Sequence, residues 1–391
     1  MQQTRVLSPR QNCTAVGLVR LRTFPSVLLL LARPAVVALT LVAPFSAPAQ
    51  TTAGGRWAAA TDSARSLVQA FMREGKPAGL SVAVGVDGQV VWSEGFGYAD
   101  LEQAVPVSPE TRFRIGSISK SLTAAALGLL FQEGRLDLDA QVQRYVPSFP
   151  RKRYPVTVRQ LAGHIAGIRH YRGDEMLLNR RYASVSEALD IFEDDSLLFE
   201  PGTQYSYSSY GWILLSAVVE AAAGEGFLTY MRQRVFEPVG MQRTAPDLND
   251  SIIPNRTRFY TTTPQGGHRN APAVDNSYKW AGGGFLSTPE DLIRFAYAML
   301  DGRLLMPETV KLFWTSQRLR SGEETGYGIG WRSNQDGEGH WVVSHTGGSV
   351  GGTSVLAIHP EARVVLAMTA NISDARFGPM PGSVGELFVR R

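Results

Sequence analysis

Ser117 and Lys120 stand three residues apart, just before an apolar run at 122–131. On a helix, residues i and i+3 share a face, so the lysine amine can reach the serine hydroxyl. The helix N-terminus favours negative charge developing on that oxygen. A lysine at its ordinary pKa of ~10.4 is a poor base. Desolvation or a nearby cation must lower it by about three units, an effect of ~4 kcal/mol. Buried beside the serine, Lys120 could accept the hydroxyl proton. The spacing alone is a weak signal, and its alternative is a helix turn with a solvated lysine. Its context strengthens it: β-rich sequence before, Gly116 at the turn, an apolar helix after.

Two further stretches carry candidate chemistry. Gly202-Thr203-Gln204-Tyr205-Ser206-Tyr207-Ser208-Ser209-Tyr210-Gly211 precedes an apolar helix at 212–219. Ser344-His345-Thr346-Gly347-Gly348 lies on a β-rich C-terminal run. Tyr207 alone reads as one buried aromatic in a tyrosine-rich patch, and the other two motifs reverse that reading.

In order and spacing, the three stretches resemble the serine β-lactamase and penicillin-binding protein superfamily, over nearly all of 57–380. The nearest resemblance is to its class C-like branch and the LACTB-like group with its bacterial relatives. It is carried by residues 114–122, by Gly163-His164-Ile165-Ala166-Gly167-Ile168-Arg169-His170-Tyr171, and by 275–285. The resemblance implies a nucleophilic Ser117, a Lys120 that shares general-base work, and a Tyr207 that relays protons to and from the leaving group. It implies an oxyanion hole from the backbone N–H groups of Ser117 and Gly348. Ser209, His345, Thr346 and Gly347 would bind substrate. No metal and no cofactor are expected.

Two departures bear on substrate. β-Lactamases carry Tyr-x-Asn where this chain has Tyr207-Ser208-Ser209, and a serine cannot donate and accept over an asparagine's reach. Lys-Thr-Gly is replaced by His345-Thr346-Gly347. An unperturbed histidine is only about a quarter charged at pH 7, a poor stand-in for a permanent cation. Both weaken a penicillinase or D-alanyl-D-alanine peptidase reading and leave acylation chemistry untouched. The expectation is a peptidase- or amidase-like serine hydrolase. An esterase, a β-lactamase and a non-catalytic filament-forming scaffold are the alternatives. The substrate would be a small molecule or a peptide, and the chain a possible homo-oligomer.

The elements that must position these residues are partly legible. Helical periodicity runs over 58–73, with Ala64, Leu67, Val68, Phe71 and Met72 apolar. Two β-rich runs, 80–86 and 89–96, flank Asp87-Gly88, a strong hairpin signal. Three more short strands read at 341–344, 353–359 and 363–370. Thr157 can cap a helix over 158–164, and Thr288-Pro289-Glu290-Asp291 opens another. The expectation is an α/β (α+β) fold: an antiparallel sheet built from both chain ends, about 57–116 and 300–375. Flanking helices and a mostly helical insertion, about 118–299, complete it. Residues 50–56 read as a junction and 381–391 as a tail.

The net charge of +4 in 391 residues is misleading. Residues 1–49 hold five arginines and no acid, and the remainder is 34 basic groups against 35 acidic ones. No basic stripe for nucleic acid is left in the body. The leader, with apolar runs at 27–32 and 35–45 and Ala47-Pro48-Ala49, reads as an export signal to the periplasm or outside. An uncleaved membrane anchor and an organellar transit peptide are the alternatives. Cys13, the only cysteine, falls in it, so the mature chain would hold no thiol. Gly347-Gly348-Ser349-Val350-Gly351 matches a nucleophile elbow, but that fold needs an acid and then a histidine downstream, and too little chain follows. Its glycines suit a tight strand-to-strand turn. His164 and His170 lack metal-ligand spacing and read as packing and hydrogen-bonding groups. Residues 275–285 read as either a cleft wall or a structural turn.

Overall fold

The computed structural model describes residues 51–52, 55–74 and 77–389. The leader, with Cys13 and the expected cleavage pattern, lies outside the described residues. The elements that carry the site are, in chain order, helix α1 (Ala58–Arg73), strands β1 (Gly79–Val86) and β2 (Gln89–Asp100), and helices α2 (Ile118–Gln132), α3 (Val158–Ala162), α4 (Ser209–Ala223), α5 (Trp280–Gly283) and α6 (Pro289–Leu300). Strands β3 (Arg332–Gln335), β4 (Trp341–Ser349), β5 (Gly352–His359) and β6 (Val364–Ala370) follow, then helix α7 (Met380–Val389).

The six strands are consecutive in one eight-stranded antiparallel sheet, in the order β2-β1-β6-β5-β4-β3, and two short strands, Thr51–Thr52 from the expected junction and Val105–Pro106, pair on β2. The two chain ends meet at its centre, where Val86 pairs with Val364 and Leu80 with Ala370. Strand β1 is buried along its whole length. That explains why apolar residues fall on both of its faces, with Ser81 the one polar side chain: a central strand covered on both sides does not alternate. Leu80, Val82 and Val84 pack with Val68 of α1 and Phe388 of α7 on one face. Ala83 and Ala367 point to the other face, against the helices of the insertion. Asp87 and Gly88, with φ of 49° and 85°, close the β1–β2 hairpin. Positive φ at both central residues is what the right-handed twist of a two-residue hairpin demands.

Helix α2 is buried on nearly every side, from Ile118 to Leu130. A helix apolar all round belongs in the middle of a protein, and this one runs between the sheet and α4. The insertion carries the expected helices, joined by long loop-rich stretches at 164–208 and 245–279. Arg169 organises the first stretch. Its guanidinium bonds both Glu175 carboxylate oxygens, at 2.6 and 2.9 Å, and also reaches Asp195.

Three expectations are corrected. Leu67 is 38% exposed, because the buried stripe of α1 is Ala60, Ala64, Val68 and Phe71. Helix α3 ends at Ala162, since His164 turns into the left-handed region at φ 61°. Residues from 381 onward are helix to Val389, not a tail. Phe388 meets Trp57 with ring centroids 5.7 Å apart, so burial against α1 holds the segment helical.

Candidate active site

Ser117 caps α2 by its backbone alone; its hydroxyl makes no capping bond and is left free for other partners. The residue before it sets its position. Gly116 has φ 47°, and a Cβ there would lie 2.5 Å from the Gly348 carbonyl oxygen. A Cβ on Gly347 would lie 2.0 Å from the Ile115 carbonyl oxygen. Two glycines therefore let the start of α2 press against β4, backbone to backbone. That contact brings the Ser117 and Gly348 amides to one place.

Lys120, one turn into α2, is fully buried. Its Nζ lies 2.9 Å from Ser117 Oγ, 3.1 Å from Ser209 Oγ and 2.7 Å from the Gly282 carbonyl oxygen. No carboxylate is among these partners. Burial therefore acts unopposed and holds the amine well below the usual lysine range. An amine pushed toward its neutral form against a serine hydroxyl is placed to accept that proton.

Tyr207 lies over this amine, with Lys120 Nζ 4.9 Å from the ring centroid. Burial pushes its phenol up, and a hydrogen bond with Ser117 opposes that only in part. Burial thus favours the protonated phenol and the neutral amine, and paired environments of this kind separate a proton donor from a proton acceptor. Tyr207 precedes the cap of α4. Ser208 is that cap: its Oγ accepts from Gly211 N at 3.0 Å and donates to the Arg169 carbonyl at 2.7 Å.

Two histidines fix this corner. His164 Nδ1 accepts the Ser208 N–H at 3.1 Å, and His170 Nδ1 accepts the Ser209 N–H at 3.1 Å. The His164 ring also packs on Tyr207, with centroids 4.2 Å apart. Both act as acceptors, so both are neutral. Burial agrees, lowering His164 well below its ordinary value and His170 to about 4. Sequence reading placed them as packing and hydrogen-bonding groups but gave no hint that they orient Tyr207 and Ser209. The loop that brings them there has no periodicity to read.

Strand β4 supplies the opposite wall. Thr346 and Gly348 face out, while His345 and Gly347 face in, as alternation requires. His345 Nδ1 donates to the Thr346 carbonyl at 2.6 Å, and its Nε2 accepts from Tyr327 OH at 2.9 Å. Burial lowers its pKa to about 3. The imidazole is neutral and both its nitrogens are engaged, so it carries no charge for a substrate carboxylate. Arg332, exposed on β3 opposite Ser344, is the cation on this side of the cleft.

These residues line one cleft of about 930 Å³, with Ser117, Tyr207, Ser209, His345, Thr346, Gly347 and Gly348 on its walls and Lys120 beneath. All the residues singled out from the sequence thus meet at one place. The Gly282 carbonyl, Tyr327 and Arg332 were missed, since a backbone oxygen and two isolated side chains leave no motif. Residues 275–285 prove structural and site-forming together: Asn276 bonds the buried Asp247, and Gly282 cradles Lys120. Ser349 is buried in β4, and Gly351 turns the chain into β5 at φ 72°. Among the described residues, no His, Cys, Asp and Glu cluster could hold a metal ion.

A hydroxyl activated by a buried amine, beneath a sheet edge rich in glycine, is the chemistry of a serine hydrolase that works through an acyl-enzyme. A family model described as Beta-lactamase matches residues 64–381, and the chain belongs to that family. It is 37% identical to the human "Serine beta-lactamase-like protein LACTB, mitochondrial", over 78% of this chain and 73% of that one. It is 28% identical to a D-aminopeptidase of Gluconobacter oxydans, over 64% of this chain and 48% of the relative. Among solved structures it resembles an octameric penicillin-binding protein homologue from Pyrococcus abyssi. That match has a TM-score of 0.71 at 28% identity and covers 83% of this chain and 75% of that one.

Proposed function

We propose that this protein cleaves amide bonds of small peptide-like substrates through an ester on Ser117. The observation that carries the reading is the Lys120 amine, fully buried without a carboxylate and 2.9 Å from Ser117 Oγ. Ser117 Oγ attacks the carbonyl carbon as its proton passes to Lys120 Nζ. The Ser117 and Gly348 N–H groups hold the oxyanion. Collapse breaks the C–N bond. Tyr207 gives its proton to the departing amine and is reprotonated from Lys120. Water then repeats the sequence on the ester and releases the acid. Ser209 and Thr346 flank the substrate, and Arg332 takes the cationic place that His345 leaves empty.

The likeness to a D-aminopeptidase supports amide over ester cleavage, and the octameric homologue supports self-association. Intact mass spectrometry after a fluorophosphonate, and separately after a penicillin, tests the reading beside Ser117→Ala. An adduct lost in the variant is expected. A folded protein that takes neither reagent rejects catalysis and favours a scaffold. The leader carries a separate proposal: export with cleavage after Ala49, leaving Gln50 first. N-terminal sequencing of the mature protein tests it, and an intact leader or a distant cut rejects it.

A further inference from the structure

A second buried amine lies close to the site, and the proton transfers described so far do not use it. Lys279 is 3% exposed, and its Nζ donates to the Met176 carbonyl at 2.9 Å. Aromatic rings flank the amine, with the Tyr278 centroid 4.9 Å away and that of Tyr171 6.0 Å away. Asp247 and Asp275 make no ion pair with it among the described residues, so burial and the charge of Arg114 pull its pKa down to about 7. A methionine would fill much the same space with no charge to desolvate, so an amine is a costly occupant here. Its one hydrogen bond falls on the cleft wall.

The Met176 carbonyl belongs to a single turn, Gly173–Leu177, none of whose residues is buried. Met176 and Leu177 of that turn line the cleft together with His170 and Tyr171. Packing alone cannot fix a turn with no buried side chain, and segment 275–279 clamps it instead. Asp275 N donates to the Leu178 carbonyl at 2.9 Å, Tyr278 OH to the Glu175 carbonyl, and Lys279 Nζ to the Met176 carbonyl. The same segment reaches the reacting centre through its main chain. The Lys279 carbonyl accepts the Gly283 N–H at 2.7 Å and closes α5, whose Gly282 carbonyl takes Lys120 Nζ at 2.7 Å. A second route joins wall and centre. The Tyr171 ring packs on His170 with centroids 4.6 Å apart, His170 Nδ1 accepts the Ser209 N–H at 3.1 Å, and Ser209 Oγ lies 3.1 Å from Lys120 Nζ.

The wall so held is uncharged and largely apolar. Leu177 is 42% exposed, a large aliphatic group presented at the cleft by a clamped turn, and the His170 beside it is neutral. We infer that Lys279 is a positioning residue for substrate: its side chain holds the wall of Tyr171, Met176 and Leu177 in register with Lys120 and Ser117, and that wall receives an apolar side chain of the substrate. The inference rests on the acyl-enzyme reading of Ser117.

Two fluorophosphonates test it, one with a short ethyl chain and one whose chain ends in a phenyl ring. The rate at which each modifies Ser117 in the intact protein is followed by mass spectrometry, beside a melting curve. The phenyl probe is expected to react at least about tenfold faster, the scale on which an apolar pocket discriminates. In Lys279→Met that ratio falls toward one, while the ethyl probe reacts at its unaltered rate and the melting temperature does not drop. Tyr278→Phe, which removes the neighbouring clamp and keeps the ring, lowers the ratio in the same direction, and Leu177→Asp abolishes it. A ratio near one in the unaltered protein overturns the inference while leaving Ser117 established. So does a ratio that survives Lys279→Met, or an equal loss of both rates in that variant at an unchanged melting temperature. Should Lys279→Met fail to fold, an unchanged ratio in Tyr278→Phe overturns the inference by itself. Folded protein labelled by neither probe removes the nucleophile, and this inference with it.

Discussion

Lys120 and Tyr207 have opposite environments, and the pH dependence follows from that. Lys120 must be neutral to take a proton, so kcat/KM falls as pH drops through its lowered pKa. Tyr207 must be protonated to give one, and its pKa is raised, so activity persists above pH ~10. A pH profile with its acid limb far below the ordinary lysine range is expected. Lys120→Met, of similar length but with no base, should cost about 10²–10⁴ in rate at every pH while the buried site stays filled. An acid limb near pH 10 would place the base elsewhere. The histidines make a separate prediction about stability. Folded His345 and His170 resist protonation down to about 3 and 4, whereas the unfolded chain takes those protons near 6.5. Between these values the unfolded state binds more protons, so stability is full above pH ~6.5 and falls as pH falls, by up to about 1.4 kcal/mol per pH unit per group. Thermal unfolding from pH 7 to 4 should show it, with a shallower slope in His345→Gln. The Ser117–Lys120 spacing was readable because a helix converts three residues into one face. The brace on Tyr207 was not, because His164 and His170 reach α4 from a loop whose path is set by Arg169.

At the scale of elements, the junction of α2 with β4 decides whether the amides of Ser117 and Gly348 share one place. Gly116→Ala adds a Cβ 2.5 Å from a backbone oxygen and strains a positive φ. A stability loss of about 1–3 kcal/mol is expected from overpacking. Activity should fall at least about a hundredfold, the scale of losing one oxyanion donor. Labelling kinetics beside a melting curve separate the two. A second junction is ionic. Arg114 Nε donates to Asp247 Oδ2 at 2.6 Å, both buried, and Arg114 Nη1 reaches the Val350 carbonyl at 2.7 Å. Arg114→Leu strips a buried carboxylate of its main partner and should destabilise by about 3–5 kcal/mol in urea unfolding. A change below 1 kcal/mol would mean that Arg256 and Asn276 suffice to hold Asp247. The hairpin at Asp87-Gly88 and the caps at Thr157 and Thr288 were legible because each is a local contract between neighbouring residues. Arg114 with Asp247 was not, since 133 residues separate them.

For the molecule as a whole, the sheet is covered on one face by the helices at the two chain ends. Removing everything after Gly378 would uncover apolar strand surface that Met380, Val384 and Phe388 now shield. That truncated chain should fail to fold cooperatively or should aggregate, measured by the loss of a single sharp thermal transition. The pairing of both ends in one sheet was expected from β-rich sequence at each end of the chain. The helix running to Val389 was not, because residues 381–391 carry no local signal of the surface they rest on.

The pairing of Val86 with Val364 has a consequence for how this protein is made. Strand β1 emerges from the ribosome early, and its inner neighbour lies roughly 280 residues behind it. At about 5–20 residues per second, that is tens of seconds during which a mostly apolar strand has one bare edge. The core cannot close before synthesis is nearly complete. Until then the open edge of this central strand is a template on which another unfinished chain can pair, so refolding from denaturant should become less efficient as protein concentration rises.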